Sequence, residues 1–143
     1  MRLTKHLTIG LAVAAIAASV ATAHDKPAKP DQSARCKPAP VMLAGTLAND
    51  PAAGDTSLQL DVKHGNRLGR LYRKAGSPVS VNLDAKTRYR RDGEPSTLDA
   101  LASGDRALVF AKVCRADVRK AVKEGSALPA PTARAVLARA PKQ

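Results

Sequence analysis

From Val41 to about Ala140 the chain is written in short alternating runs. In "SLQLDVKH", Leu58, Leu60 and Val62 fall on one side and Gln59, Asp61 and Lys63 on the other, the period of a half-buried strand. "SPVSVNLDAKTRYRRDG" repeats the pattern with Val79, Val81 and Leu83 inward, then a turn, "TRYRR", and the turn pair Asp92-Gly93. "RALVFAKVC" puts Ala107, Val109, Ala111 and Val113 on one face, and "TARAVLARA" reads as a last strand. The first strand, "VMLAGTLAND", contains Gly45, a residue that marks bulges and sharp bends in small β-structures, and "DPAAGD" after it is turn chemistry. In "PSTLDALASGD", Ser96 with Asp99 has capping-box spacing, with Thr97 the alternative cap. Leu98 and Leu101 form the buried side of one helical turn, and Gly104-Asp105 turns the chain into the next strand.

Two stretches break the two-residue period. "GNRLGRLYRKAGSP" spaces Leu68, Leu71, Tyr72 and Ala75 as one helical stripe, with Arg67, Arg70, Arg73 and Lys74 on the other side. Asn66 would cap its start, Gly76 its end, and Pro78 would stop it. Gly69 costs such a helix about 1 kcal/mol relative to Ala, so it needs docking onto the sheet; a loop with a few helical dihedrals is the other reading. "RADVRKAVKEGSALPAP" is a long polar connection with helical spacing around Val118 and Val122. Five short antiparallel strands with one or two short helical inserts predict an all-β fold, a closed or nearly closed small barrel.

The ends of the chain read differently. "MRLTKH" followed by "LTIGLAVAAIAASV" and "ATA" has the basic, apolar and small-residue parts of a signal peptide over residues 1–23, with the chain continuing from His24 after cleavage. No second long apolar run follows, so no transmembrane segment is expected after cleavage, and the protein should be exported to a periplasm or beyond. Residues 24–40, with four prolines and few apolar side chains, predict an extended linker; 41–140 form the domain and 141–143 a tail. Trp is absent, and Phe110, Tyr72 and Tyr89 are the only aromatics, so the core has to be built from Val, Leu and Ala. Cys36 and Cys114 are the only cysteines, and in an oxidising compartment an even pair predicts a disulfide. Closing a loop of that length stabilises by about 4 kcal/mol on the chain-entropy model. A metal site or redox couple is the competing reading, and the wide spacing with only His24 and His64 nearby argues against it.

The ordered set "VMLAGTL", "SLQLDV", "VSVNLDAKTRYRRDG", "TLDALASGDRALVFAKVC" and "TARAVLA" resembles a bacterial exported family, the domain of unknown function numbered five-six-six-six. The resemblance covers Val41 to about Ala140. It implies a five- to six-stranded antiparallel barrel of the OB type and export, and it carries no established activity. The basic connection after Cys114 is less typical of that family.

Charge adds the functional signal. The formal net charge is +12, and it remains +10 once Arg2 and Lys5 are removed. Between Lys63 and Arg91 there are nine Lys or Arg and one acid, Asp84, and both tyrosines lie inside this segment. Arg67, Arg70, Arg73, Lys74, Arg88, Arg90 and Arg91 are therefore the candidate anion-binding residues; a merely solvated basic surface is the competing reading. Two tyrosines are few for stacking bases, so an anionic envelope polymer or lipid head group is expected as partner, and nucleic acid is disfavoured. A structural or accessory domain meeting a protein partner is the second hypothesis. No nucleophile-and-base signature is present, so no enzyme, cofactor or metal is expected. His24 could offer an amine and an imidazole to copper after cleavage, but only His64 remains to complete such a site.

Overall fold

A computed structural model describes residues 36–141. The signal-peptide reading of 1–23, His24, the linker up to residue 35 and the end of the tail lie outside the described residues. Seven strands and two helices follow in the order β1 (Pro38–Leu47), β2 (Ser57–Gly65), α1 (Gly69–Ala75), β3 (Val79–Asn82), β4 (Arg88–Arg91), β5 (Glu94–Ser96), β6 (Arg106–Cys114), α2 (Arg115–Glu124) and β7 (Thr132–Arg139), with a 3-10 turn at Leu98–Ala100. The strands form one mixed sheet in the order β3-β2-β1-β6-β7-β4-β5, and β3 also pairs with β7.

The alternation read from the sequence becomes burial. Leu58, Leu60 and Val62 of β2, Val79 and Val81 of β3, and Ala107, Val109, Ala111 and Val113 of β6 all enter one aliphatic core with Val41, Leu43 and Val136. Leu83 lies beyond the end of β3 and packs on that core partly buried. Tyr72 is the one aromatic buried there, at 2% exposure.

Three differences from the expected architecture have local causes. Pro38, Ala39 and Pro40 belong to β1, not to the linker, because they pair with Cys114, Val113 and Lys112 of β6. Their prolines are tolerated because β2 does not extend alongside them; its pairing with β1 begins at Leu43. Next, β5 was not expected as a strand: a two-residue turn at Asp92-Gly93, both at positive φ, folds Glu94–Ser96 back on β4. This takes Ser96 into a strand, and the 3-10 turn starts from Thr97 with no side-chain cap, so no capping box forms. Finally, β7 runs parallel to both β3 and β4, so the sheet is not wholly antiparallel. The path β3–β2–β1–β6–β7 has five strands and returns from β7 to β3. An odd number of strands cannot alternate in direction around such a path, and one seam has to be parallel.

The bend that makes this path short sits at Gly45. The register of β1 against β2 shifts between Ala44 and Gly45, and a Cβ at position 45 would collide with the backbone carbonyl oxygen of Asp61. At this position β1 remains paired to β6, through Gly45 and Ala107. Gly45→Ala is therefore expected to cost at least about 3 kcal/mol, the upper range for overpacking. Urea unfolding monitored by far-ultraviolet circular dichroism measures the cost, and a loss below about 1 kcal/mol would show that β1 relaxes without the glycine.

Candidate anion-binding surfaces

The cationic helix exists and is docked. Asn66 starts it: its side-chain oxygen accepts from the Gly69 N–H at 2.9 Å and its carbonyl accepts from the Arg70 N–H at 2.9 Å. The Asn66 amide also donates to the Pro40 carbonyl, fixing this end against β1. Gly69 is more than a weak helix former here, because a Cβ would strike the carbonyl oxygen of Met42; its absence lets α1 lie directly on β1. Leu68 and Leu71 pack partly buried on the core, Tyr72 enters it, and Ala75 stays exposed at the helix end. The Tyr72 hydroxyl donates to the Pro129 carbonyl at 2.7 Å, tying α1 to the segment before β7.

The opposite side of α1 carries the predicted cations. Arg67, Arg70, Arg73 and Lys74 are all exposed, and Arg73 donates through Nη1 to the Lys63 carbonyl at 3.1 Å. Arg88 and Arg90 are exposed on β4, on the side opposite Tyr89. These two sets stand on separate elements: α1 lies against β2 and β1, whereas β4 lies between β7 and β5.

Arg91 does not belong with them. It points to the other side of β4, where its Nη2 donates to Asp105 at 3.1 Å, its Nη1 donates to the Ala100 carbonyl, and its Nε lies 3.1 Å from the second Asp105 oxygen. Asp105 is fully buried and also accepts from the Ala102 N–H. A buried carboxylate without a cation is costly, so the Arg91 charge is committed first to neutralising Asp105. Nothing in the Gly104-Asp105 turn signal revealed this partner, since the two residues are fourteen positions apart. Asp84, the one acid in the basic segment, is turned into its own loop, accepting from the Lys86 N–H and the Thr87 hydroxyl. Arg91–Asp105 is thus the only ion pair among the described residues.

No protein-family model matches the chain, and no curated protein or solved structure matches it either. The reading therefore rests on this chain's own residues.

The cysteines meet where β1 begins and β6 ends. Cys36 and Cys114 approach to 2.6 Å, longer than a disulfide bond, and both are free thiols here. The Cys36 thiol is pushed up to about 11, chiefly by its contact with the Cys114 thiol. The two lie beside the backbone bond from Arg115 N–H to the Lys37 carbonyl, which fixes the start of α2 against the start of β1. Among the described residues no helix is long and apolar enough to cross a membrane.

Burial pushes the Tyr72 phenol up to about 12 from its ordinary 10, and Tyr89 also rises, by burial first. The neutral phenol is the form the fold prefers, so its contribution is intact below about pH 10 and is lost as the pH climbs through 12. Tyr72→Phe should cost about 1 kcal/mol at neutral pH through the lost hydrogen bond. It should also reduce the alkaline loss of stability between the two values. Urea unfolding of both proteins at neutral pH and inside that alkaline window is the check; identical alkaline slopes would show that Tyr72 does not report the docking of α1.

Proposed function

We propose that the protein is a non-enzymatic, exported binding module: a small OB-like barrel, closed by the β3–β7 pairing and stapled through Cys36 and Cys114, that holds an anionic component of the cell envelope. The signal-peptide pattern supports export, and the return of the strand path from β7 to β3 supports the barrel. The observation that carries the binding reading is the charge accounting. Six of the seven candidate cations, Arg67, Arg70, Arg73, Lys74, Arg88 and Arg90, are exposed and have no acidic partner among the described residues. A protein using charge only for solubility intersperses both signs; here the segment's one acid, Asp84, is bonded within its own loop and pairs with none of these cations. Arg70, Arg73 and Lys74 are held on a helix anchored at Asn66 and Tyr72, so the array is preorganised.

Each cation near an anionic membrane surface contributes about 1 kcal/mol, so converting Arg67, Arg70, Arg73 and Lys74 to Glu should weaken co-sedimentation with phosphatidylglycerol vesicles by about a hundredfold or more. The control converts Arg115, Arg119, Lys120 and Lys123, exposed around α2, and should leave binding largely in place. Equal loss in both variants, or no loss in the first, overturns a located site.

The staple has its own test. Protein taken from an oxidising compartment without reductant should show no thiol that reacts with a maleimide after unfolding, and reduction should lower its stability by about 4 kcal/mol. Two labelled cysteines per unreduced chain would sink this part of the reading.

A further inference from the structure

A second basic site lies on the outward side of the sheet, built from residues the α1 and β4 arrays do not use. On β6, Arg106, Leu108, Phe110 and Lys112 alternate with the core residues and so stand outside; on β7, Leu137 and Arg139 do the same. Register places Arg106 directly across from Arg139 and Leu108 across from Leu137. Beside them β1 offers only Ala44, Gly45 and Thr46, so the surface sinks there. Lys63 and His64 of β2 rim the far side. The result is a hollow of about 580 Å³ with four basic residues in its walls, an apolar floor and no acid among its lining residues. Two acids stand nearby and outside the lining: Asp61, opposite Thr46 on β2, and Asp92, just past β4, whose carboxylate accepts from the Ala140 N–H beside Arg139.

Two guanidinium groups in opposed positions of an antiparallel pair repel, and neither has an acidic partner among the described residues. An anion seated between them turns that repulsion into a clamp, because a phosphate can accept from both forks at once. The floor carries the rest of the specificity. Leu108 and Leu137 lead along the strands toward Phe110, which is 41% exposed and is opposed by Met42 on β1 and Ala135 on β7. No aromatic ring lines the hollow itself, so a nucleobase would find nothing to stack on there, while a hydrocarbon chain finds Leu108 and Leu137.

We propose that this hollow binds one molecule of an acylated phosphomonoester, its phosphate held between Arg106 and Arg139 and its chain laid over Leu108 and Leu137 toward Phe110. This deepens the anionic-envelope reading, on which it rests, by naming a ligand class and a site separate from α1.

The probe is lysophosphatidic acid, kept below its micelle concentration and titrated into the isotope-labelled protein while backbone amide shifts are followed by NMR. Saturable shifts should centre on Ala44, Thr46, Leu108 and Leu137. Arg106→Gln and Arg139→Gln should each weaken binding roughly tenfold, the loss expected for one charge-assisted contact. Both residues are exposed, so unchanged spectra away from the hollow verify the fold. Inorganic phosphate should bind at least tenfold more weakly than the lysolipid, and lysophosphatidylcholine should not compete. The fourfold α1 variant should bind the lysolipid as the unaltered chain does, which distinguishes failure of the vesicle reading from failure of this one. Equal affinity for inorganic phosphate, competition by the zwitterionic lysolipid, stronger shifts of the same amides by a short oligothymidylate, or unchanged affinity in the Arg106→Gln, Arg139→Gln double variant would each overturn the proposal.

Discussion

The close approach of β1 to β2 at Gly45 is the constraint from which the other contacts follow. A side chain there would occupy the space of the Asp61 carbonyl, so only glycine lets β1 shift register against β2 while keeping its pairing to β6. That shift adds twist to the central strand, and twist brings the far ends of the strand path near one another. The β3–β7 pairing and the parallel seam depend on it. The same shift also puts three small residues side by side on the outward surface, which is why that surface has a hollow between Lys63 and Arg106. One backbone contact thus shapes the inside and the outside together.

Inside, the small side chains set what else is needed. Val, Leu and Ala fill the space between strands but bury little area each, and the chain has no Trp. Tyr72 supplies the one large apolar body, and it arrives from a helix of seven residues that would not persist alone. The helix and the core are therefore mutually dependent: Gly69 lets α1 reach β1, Tyr72 enters the core, and its hydroxyl reaches Pro129. The cations on the other face are held by contacts made for packing. Positioning of the basic array is a by-product of completing the core.

Much of the sheet was legible because alternation is local. The inward residues of β2, β3 and β6 follow from period two alone, and a glycine inside the first strand marks the bend at Gly45. What was not legible is long-range. The strand status of Pro38–Pro40 depends on β6, more than seventy residues later, and the parallel seam depends on the number of strands in the path. The site was legible in composition but not in membership. Alternation alone puts Arg91 on the Tyr89 side of β4, away from Arg88 and Arg90; what is not local is the buried carboxylate waiting there, Asp105, across the β4–β5 hairpin and its following turn. Arg106 and Arg139 lie thirty-three positions apart, and only register makes them a pair.

The contrast between these arginines shows how the fold apportions one kind of side chain. Arg91 meets a carboxylate that is fully buried, so its charge neutralises that carboxylate and is spent within the fold. Arg106 and Arg139 stand opposite each other in register, and neither forms an ion pair among the described residues. A fold that needed those two only for strand pairing would do better with uncharged residues, or with opposite charges, in opposed positions. Keeping like charges opposed beside an apolar floor has a cost in the empty protein that an amphiphilic anion would offset. By contrast the α1 cations are exposed to solvent with no apolar floor beside them, so they discriminate little. The two basic surfaces therefore differ in kind: one attracts any anionic surface, and the other selects a ligand by what is attached to its phosphate.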